Sequence, residues 1–378
     1  MIRRVLVCCL TLGMVACATQ PQAPAPAPHP TGKPIGTGGT PAEAAPERKP
    51  DLPPVDLTPV PFETARANFV RDTAARYRLD PAYIESVLAQ AQIREPIIAA
   101  MARPAERVKP WNEYRPMFIS QARIDGGRRF LATHRDALQR VQERSGVPAE
   151  VIVAIIGVET SYGANTGSHR VLDALYTLAF KYPRSGDPEK LEREVRRELF
   201  FRDELAKLFE LAAQEKLDIT ALKGSYAGAM GMGQFMPSSY LDYAVDGDGD
   251  GRRDLFNSYD DVFASIANYF VKKGGWVRGG TVAVPATLDA GREELNPVDW
   301  TPTLGIDALA ARGYRAVVPV RAAGATATPI TLEGSDGKQY WLGFQNYYAI
   351  TRYNLSKMYA MAVFQLSQAI AGQELPPA

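Results

Sequence analysis

Glu159 is the residue of this sequence best placed for acid or base chemistry. It ends the apolar segment VAIIGVE, residues 153–159, and precedes the turn-forming TSYG, residues 160–163. A helix that is apolar on nearly all sides is a buried helix, and glutamate is rarely buried without a partner. A lone glutamate at the end of such a helix either makes a structural contact, as a capping or ion-paired residue, or transfers protons. This segment alone supports both interpretations equally.

A glycine-rich segment supplies polar side chains that could line a cleft. Residues 223–240 read KGSYAGAMGMGQFMPSSY, in which glycines alternate with small residues and let the backbone approach a ligand closely. Ser225 and Gln234 stand among methionines and Phe235, so they would offer hydrogen bonds in an otherwise apolar cleft. The alternative is a glycine-rich helix contact whose polar side chains face solvent.

The segment DGDGDGRRDLFNSYD, residues 246–260, matches the start of an EF-hand calcium loop. Aspartates alternate with glycines at the spacing of the first three carboxylate ligands, and a backbone carbonyl would follow. Asn257 replaces the glutamate that usually closes such a loop, so Asp260 or Asp261 is expected to close a longer one. An acidic turn without metal is the alternative. The expected ligands of a structural Ca²⁺ ion are Asp246, Asp248, Asp250, Arg252 and Asp260.

Aromatic and amide side chains alternate near the C-terminus. Residues 344–359 read FQNYYAITRYNLSKMY, a combination that suits stacking on sugar faces and bonding hydroxyl or acetamido groups, although core aromatics give the same pattern. The sequence offers few residues for other common kinds of catalytic site. The three histidines, His29, His134 and His169, offer little for a Ser/His/Asp triad or a His-rich metal centre, and neither common phosphate-binding glycine loop occurs. The strip is therefore interpreted as part of a binding site.

The elements that must position these residues are mostly helices. Apolar spacing predicts helices at residues 62–77, 81–92, 121–145, 169–180, 188–216, 259–273, 306–312 and 355–371, and the buried helix that carries Glu159 begins after Pro148. Short β-rich runs at residues 281–284, 314–321, 329–332 and 338–344 predict a smaller β-containing subdomain, inserted at residues 276–345. The predicted fold class is mainly α (α+β).

Composition restricts the partners and the chemistry. The chain of 378 residues can hold one large or two ordinary domains. Because 43 Lys and Arg balance 42 Asp and Glu, the formal charge is +1, and no overall field would concentrate nucleic acid. All three cysteines, Cys8, Cys9 and Cys17, lie near the N-terminus. The domain that follows therefore has no disulfide, zinc-binding cysteine or thiol nucleophile.

The N-terminus has the pattern of an export signal. Arg3 and Arg4 precede an apolar segment, residues 5–15, that is too short for a permanent membrane span. The segment ends in MVAC and resembles a bacterial lipoprotein signal, in which Cys17 would be lipidated. A plain cleaved signal with an incidental cysteine is the alternative. Residues 18–55 are rich in Pro and Ala and are expected to form a disordered tether to a domain at residues 56–378.

Four of these segments together resemble one family. VAIIGVETSYG, KGSYAGAMGMGQFMPSSY, the DGDGDG loop with the following SIANYF and GGW, and ITRYNLSKMYAMAV are similar, in order and spacing, to the membrane-bound lytic murein transglycosylase B family of peptidoglycan-cleaving lipoproteins. The resemblance covers the chain from about Phe62 to its end. It implies a lysozyme-like helical catalytic domain with an EF-hand-like calcium loop, a smaller β-containing subdomain and no organic cofactor.

The resemblance also implies partners and residue roles. Peptidoglycan glycan strands are the expected substrate, cleaved between N-acetylmuramic acid and N-acetylglucosamine. A lipid anchor on the periplasmic face of the outer membrane and cell-wall enzyme complexes are further expected contacts. Glu159 matches the catalytic acid/base, and Ser185 stands where relatives can carry a second arginine. The positions that match substrate contacts are Ser225, Gln234, Tyr353, Asn354, Tyr359, Tyr114 and Arg184.

A single glutamate suits a ring-closing reaction. Ordinary glycosidases use two carboxyl groups, whereas this sequence offers one strongly placed glutamate. Glu159 would protonate the glycosidic oxygen and then accept the proton of the muramic acid C6 hydroxyl, which closes a 1,6-anhydro ring. A muramidase that uses Glu159 with a water nucleophile is the first alternative. A non-catalytic peptidoglycan-binding lipoprotein is the second.

Overall fold

The structure, a computed structural model, describes residues 53–103, 109–297, 299–320 and 324–376. The predicted signal segment, the predicted lipidation site Cys17 and nearly all of the predicted tether lie outside these residues. In the part of the chain that is described, no helix has the length and apolar character needed to cross a membrane.

Helices dominate the described residues, as the sequence predicts. In chain order they are α1 (Phe62–Tyr77), α2 (Pro81–Leu88), α3 (Glu95–Ala102), α4 (Trp111–Phe118), α5 (Gln121–Thr133), α6 (Arg135–Ser145), α7 (Ala149–Thr160), α8 (Val171–Phe180), α9 (Pro188–Glu215), α10 (Pro237–Tyr243), α11 (Tyr259–Lys272), α12 (Ile306–Ala311), α13 (Gln345–Thr351) and α14 (Lys357–Ile370).

Seven strands form two antiparallel sheets within the described ranges. They are β1 (His169–Arg170), β2 (Lys223–Gly224), β3 (Ala283–Leu288), β4 (Leu304–Gly305), β5 (Tyr314–Ala316), β6 (Thr326–Gly334) and β7 (Gly337–Gly343). β1 pairs with β2, and the other five lie in the order β4-β6-β7-β3-β5. The larger sheet has a core of its own, which includes Val284, Tyr314 and Leu342. Its strands fall within residues 276–345, for which the sequence predicts β structure.

Helix α7 lies in the centre of the helical core. Ten of its twelve residues are buried, which explains its nearly unbroken run of aliphatic residues. It packs against α5, α6, α11 and α14, and α14 is itself buried at twelve of fourteen positions. Each fully buried aliphatic side chain stabilises the fold by about 1.5–3 kcal/mol. The end of α7 is therefore held by a large packed core.

Three predicted helices differ in the structure. The helix predicted at residues 81–92 ends at Leu88. The helix predicted at residues 121–145 breaks at His134, whose backbone leaves helical values (φ −109°, ψ 20°). The His134 ring packs 4.5 Å from the Phe130 ring and 4.2 Å from the Tyr259 ring, centroid to centroid. His134 is therefore part of an aromatic cluster rather than of a continuous surface helix. The helix predicted to begin at His169 begins at Val171 instead, because His169 and Arg170 pair with β2.

Candidate active site

Glu159 is the penultimate residue of α7, and its side chain is partly buried. Burial raises the pKa of Glu159 to about 7, and a hydrogen bond from Tyr359 opposes this shift only in part. The Tyr359 hydroxyl donates to Oε1 of Glu159 at 2.5 Å. Near neutral pH the carboxyl group is consequently divided between its protonated and ionised forms. This balance suits a group that must first donate and then accept a proton.

Three tyrosines from separate elements surround Glu159. Tyr359 belongs to the first turn of α14, Tyr353 lies between α13 and α14, and Tyr114 belongs to α4. Burial is the main cause of the raised pKa of each phenol, and the nearby charge of Glu159 raises all three further. The Tyr353 hydroxyl donates to the Gly233 carbonyl at 2.9 Å. The structure thus brings these three predicted residues together around the glutamate.

The glycine-rich segment is tied to the end of α7. The Thr160 hydroxyl lies 3.1 Å from the Met232 carbonyl, and it accepts from the Gly163 amide at 3.0 Å. Gln234 has a φ of +52°, and its Nε2 donates to the Thr166 carbonyl at 3.1 Å. The predicted cleft residue Gln234 therefore lies against the loop that follows Glu159.

Ser225 and Asn354 have local roles in this structure. Oγ of Ser225 accepts from the Ala229 amide at 3.0 Å, and Oδ1 of Asn354 accepts from the Ser356 amide at 3.0 Å. Each side chain thereby fixes a turn in its own segment. Within the described residues, neither is hydrogen-bonded to Glu159. Their predicted contact with the glycan stays a prediction.

Arg184 is exposed and already paired. Its guanidinium lies 2.5 Å from the Glu198 carboxylate, to which Arg202 also donates at 2.7 Å. A substrate carboxylate would have to compete with Glu198 for Arg184. The predicted substrate contact of Arg184 is therefore the one that the geometry supports least.

The EF-hand-like segment and the start of α11, residues 246–261, form an acidic loop that brings three carboxylates together. Oxygens of Asp246, Asp248 and Asp261 lie within 4.8 Å of one another. Ca²⁺ takes oxygen ligands at about 2.3–2.6 Å, so this separation fits ligands on a shared ion. Asp261 is 1% exposed and accepts from the Gly247 amide at 2.7 Å and from the Asp254 amide at 2.6 Å. The donor set of this loop fits a calcium ion.

Asp261, rather than Asp260, lies with Asp246 and Asp248 in this structure. Both aspartates belong to the first turn of α11, where consecutive side chains project about 100° apart. The Asp260 carboxylate points to Arg140 of α6 at 3.0 Å, whereas Asp261 points inward. The side chain of Asp250 caps its own turn by accepting from the Arg252 amide at 2.8 Å. Asp250 and the Arg252 carbonyl remain predicted ligands.

The acidic loop also supports the glycine-rich segment. The Met232 amide donates to the Leu255 carbonyl at 3.1 Å. Gly231 has a φ of +68°, and a Cβ there would lie 2.5 Å from the Leu255 carbonyl oxygen, so only glycine permits this approach. Because Met232 also accepts from Thr160, a short series of hydrogen bonds joins the loop to the residue beside Glu159.

Other buried carboxylates have structural partners. Both oxygens of Glu204 are engaged by Ser238, at 2.6 Å from its hydroxyl and 2.9 Å from its amide, at the start of α10. Asp173 lies 3.2 Å from the Arg170 guanidinium. Glu204 and Asp173 are thus held by hydroxyl, amide or guanidinium donors, whereas Glu159 accepts from the Tyr359 phenol. Glu159 is therefore the group that fits acid/base chemistry.

Two features of the site are not predicted from the sequence. The link through Thr160 could be suspected from a threonine that directly follows the glutamate, since a buried hydroxyl needs partners. Whether Asp260 or Asp261 faces the loop depends on where α11 begins. Ser258 is the local signal for that boundary, because it is the N-cap residue and accepts from the Asp261 amide at 3.3 Å.

Comparison with known proteins gives consistent results. Residues 61–368 match the family described as Transglycosylase SLT domain. The chain is 40% identical to membrane-bound lytic murein transglycosylase B of Escherichia coli over 312 residues, which cover 80% of this chain and 81% of that protein.

Solved structures that resemble the fold include the following two. The lytic transglycosylase Slt35 of E. coli in complex with calcium has a TM-score of 0.71 and 40% identity, and the match covers 81% of this chain and 92% of that chain. SltB3 of Pseudomonas aeruginosa in complex with NAG-anhNAM-pentapeptide has a TM-score of 0.70 and 30% identity, with 82% and 80% covered.

Proposed function

This chain belongs to the transglycosylase SLT domain family as a lytic murein transglycosylase, an enzyme that cleaves peptidoglycan, and from this premise we propose that Glu159 is its single catalytic acid and base. The observation that carries the proposal is a carboxyl group at the end of a buried helix, bound by Tyr359 with Tyr353 and Tyr114 nearby, and burial there raises its pKa to about 7. The predicted lysozyme-like fold, mainly α with a β-containing part, holds for this chain.

The reaction can be written with one carboxyl group. Protonated Glu159 donates to the glycosidic oxygen as the bond between that oxygen and C1 of the muramic acid breaks. The resulting carboxylate accepts the proton of the C6 hydroxyl, whose oxygen forms the new bond to C1. The sugar's acetamido group stabilises the positive charge in between. Glu159 ends protonated, as it began, and no water is consumed.

Exchange of Glu159 for glutamine tests this role. Glu159→Gln keeps the size and the hydrogen bond with Tyr359 but can no longer transfer a proton. General acid/base assistance contributes about 10²–10⁴-fold, so turnover should fall by this factor while binding to sacculi is retained. Glu150→Gln, the same exchange in the first turn of α7, is the matched control and should retain turnover. Turnover at the wild-type rate in Glu159→Gln would overturn the assignment.

The product ends separate ring closure from hydrolysis. Mass spectrometry of released fragments should find 1,6-anhydro-muramic acid ends. Reducing ends would instead show that water attacks C1 and that the enzyme acts as a muramidase. Binding to sacculi without release of fragments would indicate a non-catalytic protein.

We further propose that the glycan lies along the three tyrosines and the glycine-rich segment. SltB3, which binds a NAG-anhNAM-pentapeptide, shares this fold, and this supports a sugar site beside Glu159. Tyr114, Tyr353 and Tyr359 would supply aromatic faces. The remaining proposed contacts are Ser225, Gln234, Asn354 and Arg184. Substitution of a contact residue should raise KM more than it lowers kcat.

The acidic loop is proposed to hold structural Ca²⁺ through Asp246, Asp248 and Asp261. The support is their mutual separation of at most 4.8 Å and the calcium in the complex of Slt35. When bound, the ion supplies positive charge that offsets the repulsion among these carboxylates. The chain's own residues then keep Leu255 against Met232.

We also propose that Cys17 carries a lipid that anchors the enzyme to the periplasmic face of the outer membrane. The signal-like N-terminus and the membrane-bound E. coli relative support this proposal. Cys17→Ser should move the protein from the membrane fraction to the soluble fraction, whereas Cys9→Ser should not. The same distribution for both variants would argue against the anchor.

A further inference from the structure

The turn after Glu159 has a conformation that residues other than glycine rarely adopt. Ser161 has a φ of +51° and Tyr162 a φ of +63°, both in the left-handed region. Two such residues in succession cost free energy and persist only where surrounding contacts fix them. Strained backbone of this kind gathers at functional sites, so the contacts that hold this turn bear on the function of Glu159.

The ring of Tyr162 occupies space left by three glycines. A Cβ on Gly126 or Gly127 of α5, or on Gly157 of α7, would lie 2.9, 2.7 and 2.7 Å from the nearest atom of the Tyr162 side chain, respectively. The Tyr162 hydroxyl donates to the Arg123 carbonyl at 2.7 Å. Packing and a hydrogen bond thus attach the turn to α5.

Arg123 attaches the other side of Glu159 to α5. Its Nη1 donates to the Gly157 carbonyl, two residues before the glutamate, and its guanidinium lies 5.9 Å from the Phe118 ring. In the ranges that the structure describes, no carboxylate pairs with Arg123. A partly buried cation without an anion is costly, and the negative end of the α7 dipole offsets part of that cost.

We propose that Arg123 and Tyr162 are positioning residues that fix the last turn of α7 and thereby the direction of the Glu159 carboxyl group. This inference rests on the proposed function of Glu159. The two side chains hold the backbone at Gly157 and at Tyr162, on either side of Glu159. Without them the last turn could rotate and move the carboxyl group away from Tyr359. A displacement of about 1 Å can cost on the order of 10²-fold in rate.

The charge of Arg123 is directed at the backbone rather than at the carboxyl group. Burial and Tyr359 are the causes that set the pKa of Glu159, and Arg123 is not among them. A cation placed against the carboxylate would favour the ionised form and weaken the acid. Contact with the Gly157 carbonyl therefore orients the glutamate without lowering its raised pKa.

Arg128 provides a matched control on the same helix. Its Nη2 donates to the Ala369 carbonyl at 2.7 Å, near the end of α14. This contact resembles that of Arg123 in chemistry, but the residues next to Ala369 carry no acid/base group. Loss of the Arg128 contact should therefore affect stability alone.

The test measures kcat and KM separately on soluble glycan strands, at a temperature where every variant is folded. Arg123→Met should lower kcat by about 10- to 100-fold with little change in KM. Arg123→Lys should recover part of the loss, because an ammonium group can also donate to the Gly157 carbonyl. Tyr162→Phe, which keeps the ring and loses the hydroxyl, should lower kcat less. Arg128→Met should retain the wild-type kcat.

Two outcomes overturn the inference. One is a wild-type kcat in folded Arg123→Met, and the other is an equal loss in Arg128→Met. If Arg123→Met does not fold, wild-type kcat in both Arg123→Lys and Tyr162→Phe overturns it. Full activity of Glu159→Gln would instead overturn the proposed function, so the two failures are distinguishable.

Discussion

Tyr359 should set the alkaline limit of the enzyme's activity through the pKa of Glu159. The Tyr359 hydroxyl donates to Glu159 at 2.5 Å and lowers the pKa of that carboxyl group from the value that burial alone would give. Tyr359→Phe removes the donor and keeps the ring in its buried place. The pKa of Glu159 should therefore rise above about 7.

The size of the shift follows from the strength of the bond. A hydrogen bond to a charged group contributes about 1.5–3 kcal/mol, and 1.36 kcal/mol corresponds to one pKa unit. The bond favours the carboxylate, so its loss should raise the pKa of Glu159 by about one to two units. The protonated acid then persists to higher pH. The alkaline limb of kcat/KM should move upward by the same amount.

The assay is the dependence of kcat/KM on pH, followed by the release of anhydro ends from glycan strands. Tyr353→Phe is the control, because its hydroxyl donates to the Gly233 carbonyl and not to Glu159. Its alkaline limb should stay where the wild-type limb lies. A limb in Tyr359→Phe that is unmoved, or that moves to lower pH, would refute the reasoning.

Three further predictions follow from the same contacts. Burial raises the pKa of Glu159 to about 7, so this group lowers the free energy of unfolding of the protein as pH rises above the pKa of the unfolded chain. Glu159→Gln should therefore be more stable than the wild type by up to about 3 kcal/mol at pH 8, with a higher melting temperature, and this gain should vanish near pH 4. A gain independent of pH would contradict this. Chelation of calcium should lower the melting temperature, Asp261→Asn should abolish that dependence, and Asp260→Asn should retain it; calorimetry with and without chelator decides. Gly231→Ala should reduce both stability and turnover, since its Cβ would meet the Leu255 carbonyl, and wild-type melting would show that the backbone can yield.

The sequence predicts those parts of the fold that depend on local pattern. The aliphatic run before Glu159 predicts a buried helix because burial on all sides leaves no polar face, and α7 confirms it. The β-rich runs near residues 283–343 likewise become strands. The order β4-β6-β7-β3-β5 could not be predicted, since strand pairing joins residues far apart in the chain.

The site is predictable in part, for the same physical reason. Glu159 and Tyr359 are suggested by their motifs, but the hydrogen bond between them spans 200 residues and depends on how α14 packs on α7. The roles of Arg123 and Asp261 depend on helix phase and on tertiary contact. Neither residue type nor spacing distinguishes Arg123 from Arg128, although one lies beside Glu159 and the other at the end of α14.

The distance in sequence between Glu159 and Tyr359 has a consequence for incomplete chains. Helix α7 loses its packing partner α14 in any chain that stops before residue 357, and the glutamate then lacks the phenol that binds it. Such a fragment has neither the buried carboxyl group nor the closed aromatic surroundings. Truncated copies of this enzyme should therefore be inactive, because the surroundings of Glu159 are complete only after the last helix has folded.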